Sequence, residues 1–214
     1  MKSWKSLSAF FLELNKQVEY VVLRNHESFL SGKLIDEHPD IDILCRDTDL
    51  FIKCAGSETR MKKGDKIHQK TLIDGKEVSL DIRHIGDGYY DTQWEENILT
   101  KRYLINDLCY VMDSENYFYS LLYHALIQKY AVSLDYATRL TQMGKRLGID
   151  FAIDSNTINI LQRYMKDKNY HFTYPEYSGG VANFKHVDKS MIEVNLHRLI
   201  NRYMYKIIRK FKTL

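Results

Sequence analysis

Apolar positions in the first half of this chain alternate over short runs, and in the second half they recur every three or four residues. Dense β-former runs stand at 18–23, 40–45, 66–73 and 76–85. The last two flank Asp74-Gly75, a dipeptide suited to a two-residue hairpin turn because both positions tolerate positive φ. Helical spacing (Trp4, Leu7, Phe10, Phe11, Leu14) predicts an opening helix over 4–16. A short helix over 50–55 follows Asp47 or Thr48 as cap and stops at Gly56. The stretch 24–39 reads as a polar loop and Lys62-Lys63-Gly64 as a turn. Gly86-Asp87-Gly88 ends the last strand, 90–101 reads as a helix, and 103–112 as a hairpin about Asn106-Asp107. Beyond Asp113 the helical period predicts helices at 114–131, 134–147, 155–168 and 188–212, with a tyrosine-rich loop at 170–185. Strands first and helices afterwards predict an α+β chain. Its mixed sheet with flanking helices occupies 1–112, and a helical C-terminal region occupies 113–214.

Two of the strands carry carboxylates in otherwise buried-looking runs. Side chains alternate faces along a strand, so Asp40 and Asp42 share one face and Ile41, Ile43 and Cys45 the other. Asp81 likewise shares a face with Ser79 and Arg83, opposite Val78, Leu80 and Ile82. If these strands are neighbours, three carboxylates converge, and unpaired charges there repel. A hard divalent cation relieves that repulsion, and Mg²⁺ takes carboxylate oxygens together with substrate phosphates. The pattern therefore points to metal-assisted phosphoryl or nucleotidyl transfer. The plainer alternative is a D-x-D pair that caps a helix or sits in solvent.

Composition narrows the classes. A 44% hydrophobic share supports a core, and two prolines leave little room for disordered linkers. Net charge is +3, too small to imply nucleic-acid binding on its own. Cys45, Cys54 and Cys109 are odd in number and lack metal-site spacing, which fits a reduced, cytoplasmic setting. Glu13 and Lys16 interrupt the first apolar run before a signal segment forms, and no run approaches the length of a membrane span. Ser-His-Asp order, H-E-x-x-H and the P-loop pattern are absent from the sequence, which speaks against hydrolase and P-loop kinase chemistry.

Strand, loop, strand with D-x-D, short helix and a hairpin strand with a third Asp resemble the nucleotidyltransferase superfamily typified by DNA polymerase β. The resemblance is nearest to small bacterial nucleotidyltransferase-like proteins with a helical C-terminal region. It covers 18–85 by motif and extends loosely over the helical half. It implies that Asp40, Asp42 and Asp81 bind two Mg²⁺ ions, with Mn²⁺ as a substitute, and carry catalysis. The expected reaction moves an NMP group from an NTP to an acceptor hydroxyl or phosphate, such as a sugar or polyol phosphate in surface polysaccharide synthesis. Where the superfamily carries a Gly-Ser pair, this chain reads Leu23-Arg24-Asn25-His26-Glu27-Ser28. Phosphate binding would then fall to the side chains of Arg24 and Asn25, with Arg83 neutralising a further phosphate. The alternatives are structural ion pairs, Arg24 with Glu27 or Asp36 and Arg83 with Asp81. Two other functions stay open: an inactive nucleotide- or RNA-binding module, and a toxin–antitoxin type nucleotidyltransferase that modifies RNA or protein.

Three further features bear on partners. Tyr89 follows the Asp81 strand and could stack on a base or sugar at the rim of the site, or simply be half-buried. His124 falls on a helix face with Tyr117, Leu121 and Gln128, where packing is the ordinary role. In the last helix Ile192, Leu196, Leu199, Tyr203, Ile207 and Phe211 form one stripe, and Arg198, Arg202, Lys206 and Arg209 another, with Lys210 and Lys212 beside them. Such a helix could seat peripherally on the inner membrane or on RNA. The plainer expectation is a terminal helix packed by its apolar stripe, with its basic face in solvent.

Overall fold

The computed structural model describes residues 1–30, 40–60, 67–149, 151–152, 154 and 156–212, with the backbone alone for Lys212. The predicted turn at 62–64 and most of the loop after Leu30 lie outside them. Eight strands and eight α-helices are present among these residues: β1 Ser3–Trp4, α1 Leu7–Gln17, β2 Tyr20–Val22, α2 His26–Leu30, β3 Asp40–Cys45, α3 Thr48–Ala55, β4 Glu58–Thr59, β5 His68–Ile73, β6 Lys76–His84, α4 Thr92–Thr100, β7 Tyr103–Ile105, β8 Cys109–Val111, α5 Ser114–Ile127, α6 Leu134–Leu147, α7 Thr157–Asp167 and α8 Leu196–Lys212. The fold is mixed α+β. The chain forms two compact units: Met1–Ile85 with Glu95–Asp113, and Gly86–Trp94 with Ser114–Leu214. Helix α4 begins in the second and ends in the first.

The first unit is a mixed sheet in the order β1-β5-β6-β3-β2-β8-β7, with β4 also on β5. Its hairpin forms as Asp74-Gly75 predicts: φ is 52° and 72° at the two turn residues, and β5 pairs antiparallel with β6. Strand β3 runs parallel to β6 and antiparallel to β2. One sheet face is apolar: Tyr20, Val22, Ile41, Ile43, Cys45, Val78, Leu80 and Ile82 are buried in a core that includes Phe10, Phe11 and Leu14 of α1 and Phe51 of α3. Ser6 caps α1 and Asp47 caps α3, each accepting from a backbone N–H three residues on. Helix α3 ends at Gly56 in the left-handed region (φ +57°), and a Cβ there would lie 2.3 Å from the Cβ of Lys2. Both the conformation and the close approach require glycine. The stretch expected to be a loop from residue 24 contains α2, a helix of under two turns that buries Phe29 against Phe11.

The second unit is helical around α5, which is buried on nearly every side. Trp94 stacks on Tyr170 at 5.7 Å between ring centroids and meets Tyr90, Tyr123 and Tyr164 edge-on or tilted. Its indole N–H donates to Asn116 at 2.8 Å, so the buried amide is satisfied. Helix α8 starts later than the period predicts. Asp188 caps a 3₁₀ turn at Lys189–Met191, and the backbone of Met191 and Glu193 bonds to Phe172, holding this stretch out of the helix. Among the described residues no helix is long and apolar enough to cross a membrane.

Candidate functional site

The parallel pairing of β3 with β6 sets Asp42 directly opposite Asp81 and Asp40 opposite Ser79. All four side chains fall on the sheet face away from the apolar core, because the alternating residues Ile41, Ile43, Leu80 and Ile82 are committed to that core. The antiparallel hairpin continues the row: His68 of β5 lies opposite Asp81, and Lys70 opposite Ser79. One cross-sheet row thus reads Asp42, Asp81, His68, and the next Asp40, Ser79, Lys70.

The charges in these rows are matched. Arg24, just beyond β2, is buried, and its Nε donates to Asp42 Oδ2 at 3.2 Å while its Nη2 donates to Oδ1 at 2.5 Å. This is the planar two-point match of a guanidinium fork to a carboxylate. Asp42 is itself only 9% exposed. Arg24 comes within reach because β2 and β3 are antiparallel, with Leu23 N–H donating to Asp42 O at 2.9 Å. Asp81 is more open, and its Oδ1 meets His68 Nδ1 at 2.9 Å. Arg60, exposed beyond β4, donates from Nη1 to Ser79 Oγ at 2.6 Å. Lys70 is held by Glu77 at 2.9 Å. Arg83 occupies the same face two residues after Asp81, opposite Leu44.

The structure brings together Arg24, Asp40, Asp42, Asp81 and Arg83 on one sheet. Asn25 follows Arg24 with φ +61° and accepts through its backbone oxygen from Ser28 at the start of α2. Tyr89 belongs to the second unit and is buried there. Its ring packs on Tyr90 at 4.8 Å and its hydroxyl lies 3.4 Å from His124 Nδ1, so the ring is part of a packed aromatic cluster and offers no open face for stacking. His124 also meets Gln128 Oε1 at 2.9 Å, consistent with a packing role. The sequence offered Glu27 or Asp36 as ion-pair partners of Arg24; the structure shows Asp42 as a partner that was not expected, and Asp36 lies outside the described residues.

His68 and Arg60 went unnoticed in the sequence, although His68 had a signal. A two-residue turn at 74–75 pairs Ile73 with Lys76, and stepping outward along both strands places His68 against Asp81. Arg60 had none, because β4 is too short to show a period.

The donor set matches a hard cation in chemistry: carboxylates on one face, two of them cross-strand neighbours. Its geometry is not that of a closed metal centre. Among the described residues no group of three or more His, Cys, Asp or Glu side chains is gathered to hold an ion. Asp42 directs both oxygens at Arg24. Comparison of the chain with protein-family models, with curated proteins and with solved structures finds no match.

Proposed function

We propose that the carboxylate face of β3 and β6 is the active surface of a nucleotidyltransferase-fold enzyme that moves an NMP group from an NTP to an acceptor hydroxyl or phosphate. The observation that carries this reading is the register that sets Asp42 beside Asp81, with Asp40 on the same face, backed by an apolar core. Asp40, Asp42 and Asp81 would hold Mg²⁺ or Mn²⁺, which supplies charge neutralisation for the phosphates and acidity for the attacking hydroxyl. The chain's own groups have distinct tasks. Asp81 accepts the acceptor's proton at its carboxylate, and His68, bonded to Oδ1, orients that carboxylate and shares the charge. Arg24 exchanges Asp42 for a phosphate, to which its fork is equally suited. Arg60 and Arg83 add positive charge on or beside this face.

Calorimetric titration with each NTP, with and without Mg²⁺, tests the proposal, together with pyrophosphate release in the presence of candidate sugar and polyol phosphates. Wild type should bind an NTP only with the cation. Asp81→Asn, at a part-exposed position, should remain folded and abolish release. Failure to bind any NTP with Mg²⁺ or Mn²⁺ would overturn the reading.

One observation favours a second function. The Arg24 fork already neutralises Asp42, as expected of a nucleotide- or RNA-binding module without catalysis. Such a module would bind its ligand equally well with a chelator present and would release no pyrophosphate.

A further inference from the structure

Helix α8 is amphipathic, and it is turned the unexpected way. Arg198 donates to Gly86 O, and Arg202 donates to Gly180 O at 2.7 Å with its guanidinium 5.5 Å from the Tyr174 ring centre. Gly88 (φ +74°) leaves room for the first contact, since a Cβ there would lie 2.4 Å from Arg198 Nη1. Two of its cations, Arg198 and Arg202, therefore hold the helix to its own unit. By the 3.6-residue repeat, Leu196, Ile200, Tyr203, Met204, Ile208 and Phe211 fall on the opposite side, and all six are exposed, Leu196 by 69% and Phe211 by 73%. From Tyr203 to Phe211 only Ile207 is even partly buried.

An apolar stripe of this length exposed to water is unfavourable unless something covers it. Its charge identifies the cover. Arg198, Arg202, Lys206, Arg209, Lys210 and Lys212 lie within α8, which contains no acidic residue. Lys206 and Lys210 stand at the edge of the stripe, where they would face any partner. A second copy of the helix would bring the same cations together. RNA would match the charge and leave Leu196, Ile200, Met204 and Ile208 uncovered, because aliphatic side chains give bases nothing to stack on. An anionic bilayer surface satisfies both halves: the acyl boundary covers the aliphatic residues, headgroup phosphates meet the lysines, and Tyr203, at the edge of the stripe, suits the interface between them. We infer that α8 lies in the plane of an anionic membrane surface, apolar stripe inward, and tethers the protein there. This inference is independent of the reaction at the sheet.

The test is co-sedimentation of the full chain with vesicles of phosphatidylcholine alone or mixed with phosphatidylglycerol. Binding is expected only to the mixed vesicles and should weaken with salt. Ile200→Asp with Phe211→Asp should abolish it, while circular dichroism remains that of wild type because both positions are exposed. Lys206→Gln and Lys210→Gln should each weaken it about fivefold. Equal or absent binding to both vesicle types would overturn the inference, as would mixed-vesicle binding that survives Ile200→Asp with Phe211→Asp. So would single-stranded RNA binding without vesicle binding, or a concentration-dependent dimer in sedimentation velocity that the aspartate variants dissolve.

Discussion

Asp42 on β3 and Ile200 on α8 depart from the usual partition in opposite directions: a carboxylate 9% exposed in the first unit, an isoleucine 53% exposed in the second. Each is placed by its neighbours. Ile41 and Ile43 are bound to the apolar core, so period-two alternation sends Asp42 to the other face, where Val21, Leu23 and Leu44 are also buried. Arg198 and Arg202 fix the rotation of α8, so Ile200, two residues from each, must face away. The difference lies in what balances the misfit. Asp42 has its counter-charge built in at Arg24, so its environment is complete within the fold. Ile200 has no cover in its own unit, which is why the helix calls for an outside surface and the sheet can be discussed in terms of chemistry.

The comparison breaks most sharply at the buried pair. Arg24→Ala strands the Asp42 carboxylate and should cost about 3–5 kcal/mol in urea unfolding. Asp42→Asn keeps the shape and one acceptor, and should cost about 1–3 kcal/mol. A loss below about 0.5 kcal/mol for Arg24→Ala would mean that Asp42 is hydrated and that the contrast with Ile200 is false. Acid should act next. Hydrogen bonds from Arg46 hold the Glu19 and Glu96 carboxyls below their ordinary value of 4.5. Their contribution is therefore complete above about pH 4.5 and is lost as pH falls through the lowered values. These groups are substantially exposed, so the loss should be about 1 kcal/mol or less. Unfolding midpoints below pH 4.5 should converge for wild type and Arg46→Ala, and a gap that stayed constant through the whole acid range to acid unfolding would refute the assignment. The smallest effect belongs to the exposed stripe. Ile200→Ser and Phe211→Ser should change stability by no more than about 0.5 kcal/mol, and a larger loss would show that the stripe is covered within the monomer.

Much of the first unit was legible because its strands obey simple periods. Alternation across 40–45 and 78–83 separated the carboxylates from the core, and Asp74-Gly75 supplied the hairpin. What escaped was set by non-local pairing or by elements too short to carry a period. The Arg24–Asp42 contact spans eighteen positions and depends on the antiparallel pairing of β2 with β3. Strands β1 and β4 have two residues each, and α2 has five. In the second unit the period located α8 but not the side that packs inward. Of the expected apolar stripe only Leu196, Tyr203 and Phe211 fall on the exposed side; Leu199 and Ile207 are partly buried, Ile192 precedes the helix, and Ile200, Met204 and Ile208 were missed. Apolar residues ordinarily face the core, and here two arginines bonded to Gly86 and Gly180 carbonyls take that side. Tyr89 escaped for a related reason: nothing near it in sequence indicates that 86–94 folds with helices far downstream.

That interleaving has a consequence in time. Every residue of the first unit has been synthesised by Asp113, whereas Gly86–Trp94 finds its partners much later in the chain. Gln128 donates to Tyr89 O, His171 N–H to Asp91, Thr173 Oγ1 to Gly88 O and Tyr90 O, and Glu176 N–H to Asp87 O. At roughly 5–20 residues per second, a nascent chain carries Tyr89, Tyr90 and Trp94 as an unpaired aromatic loop for several seconds while the rest is made. The segment joining the two units is thus a point of vulnerability during synthesis, and a fragment ending at residue 113 would retain that loop permanently.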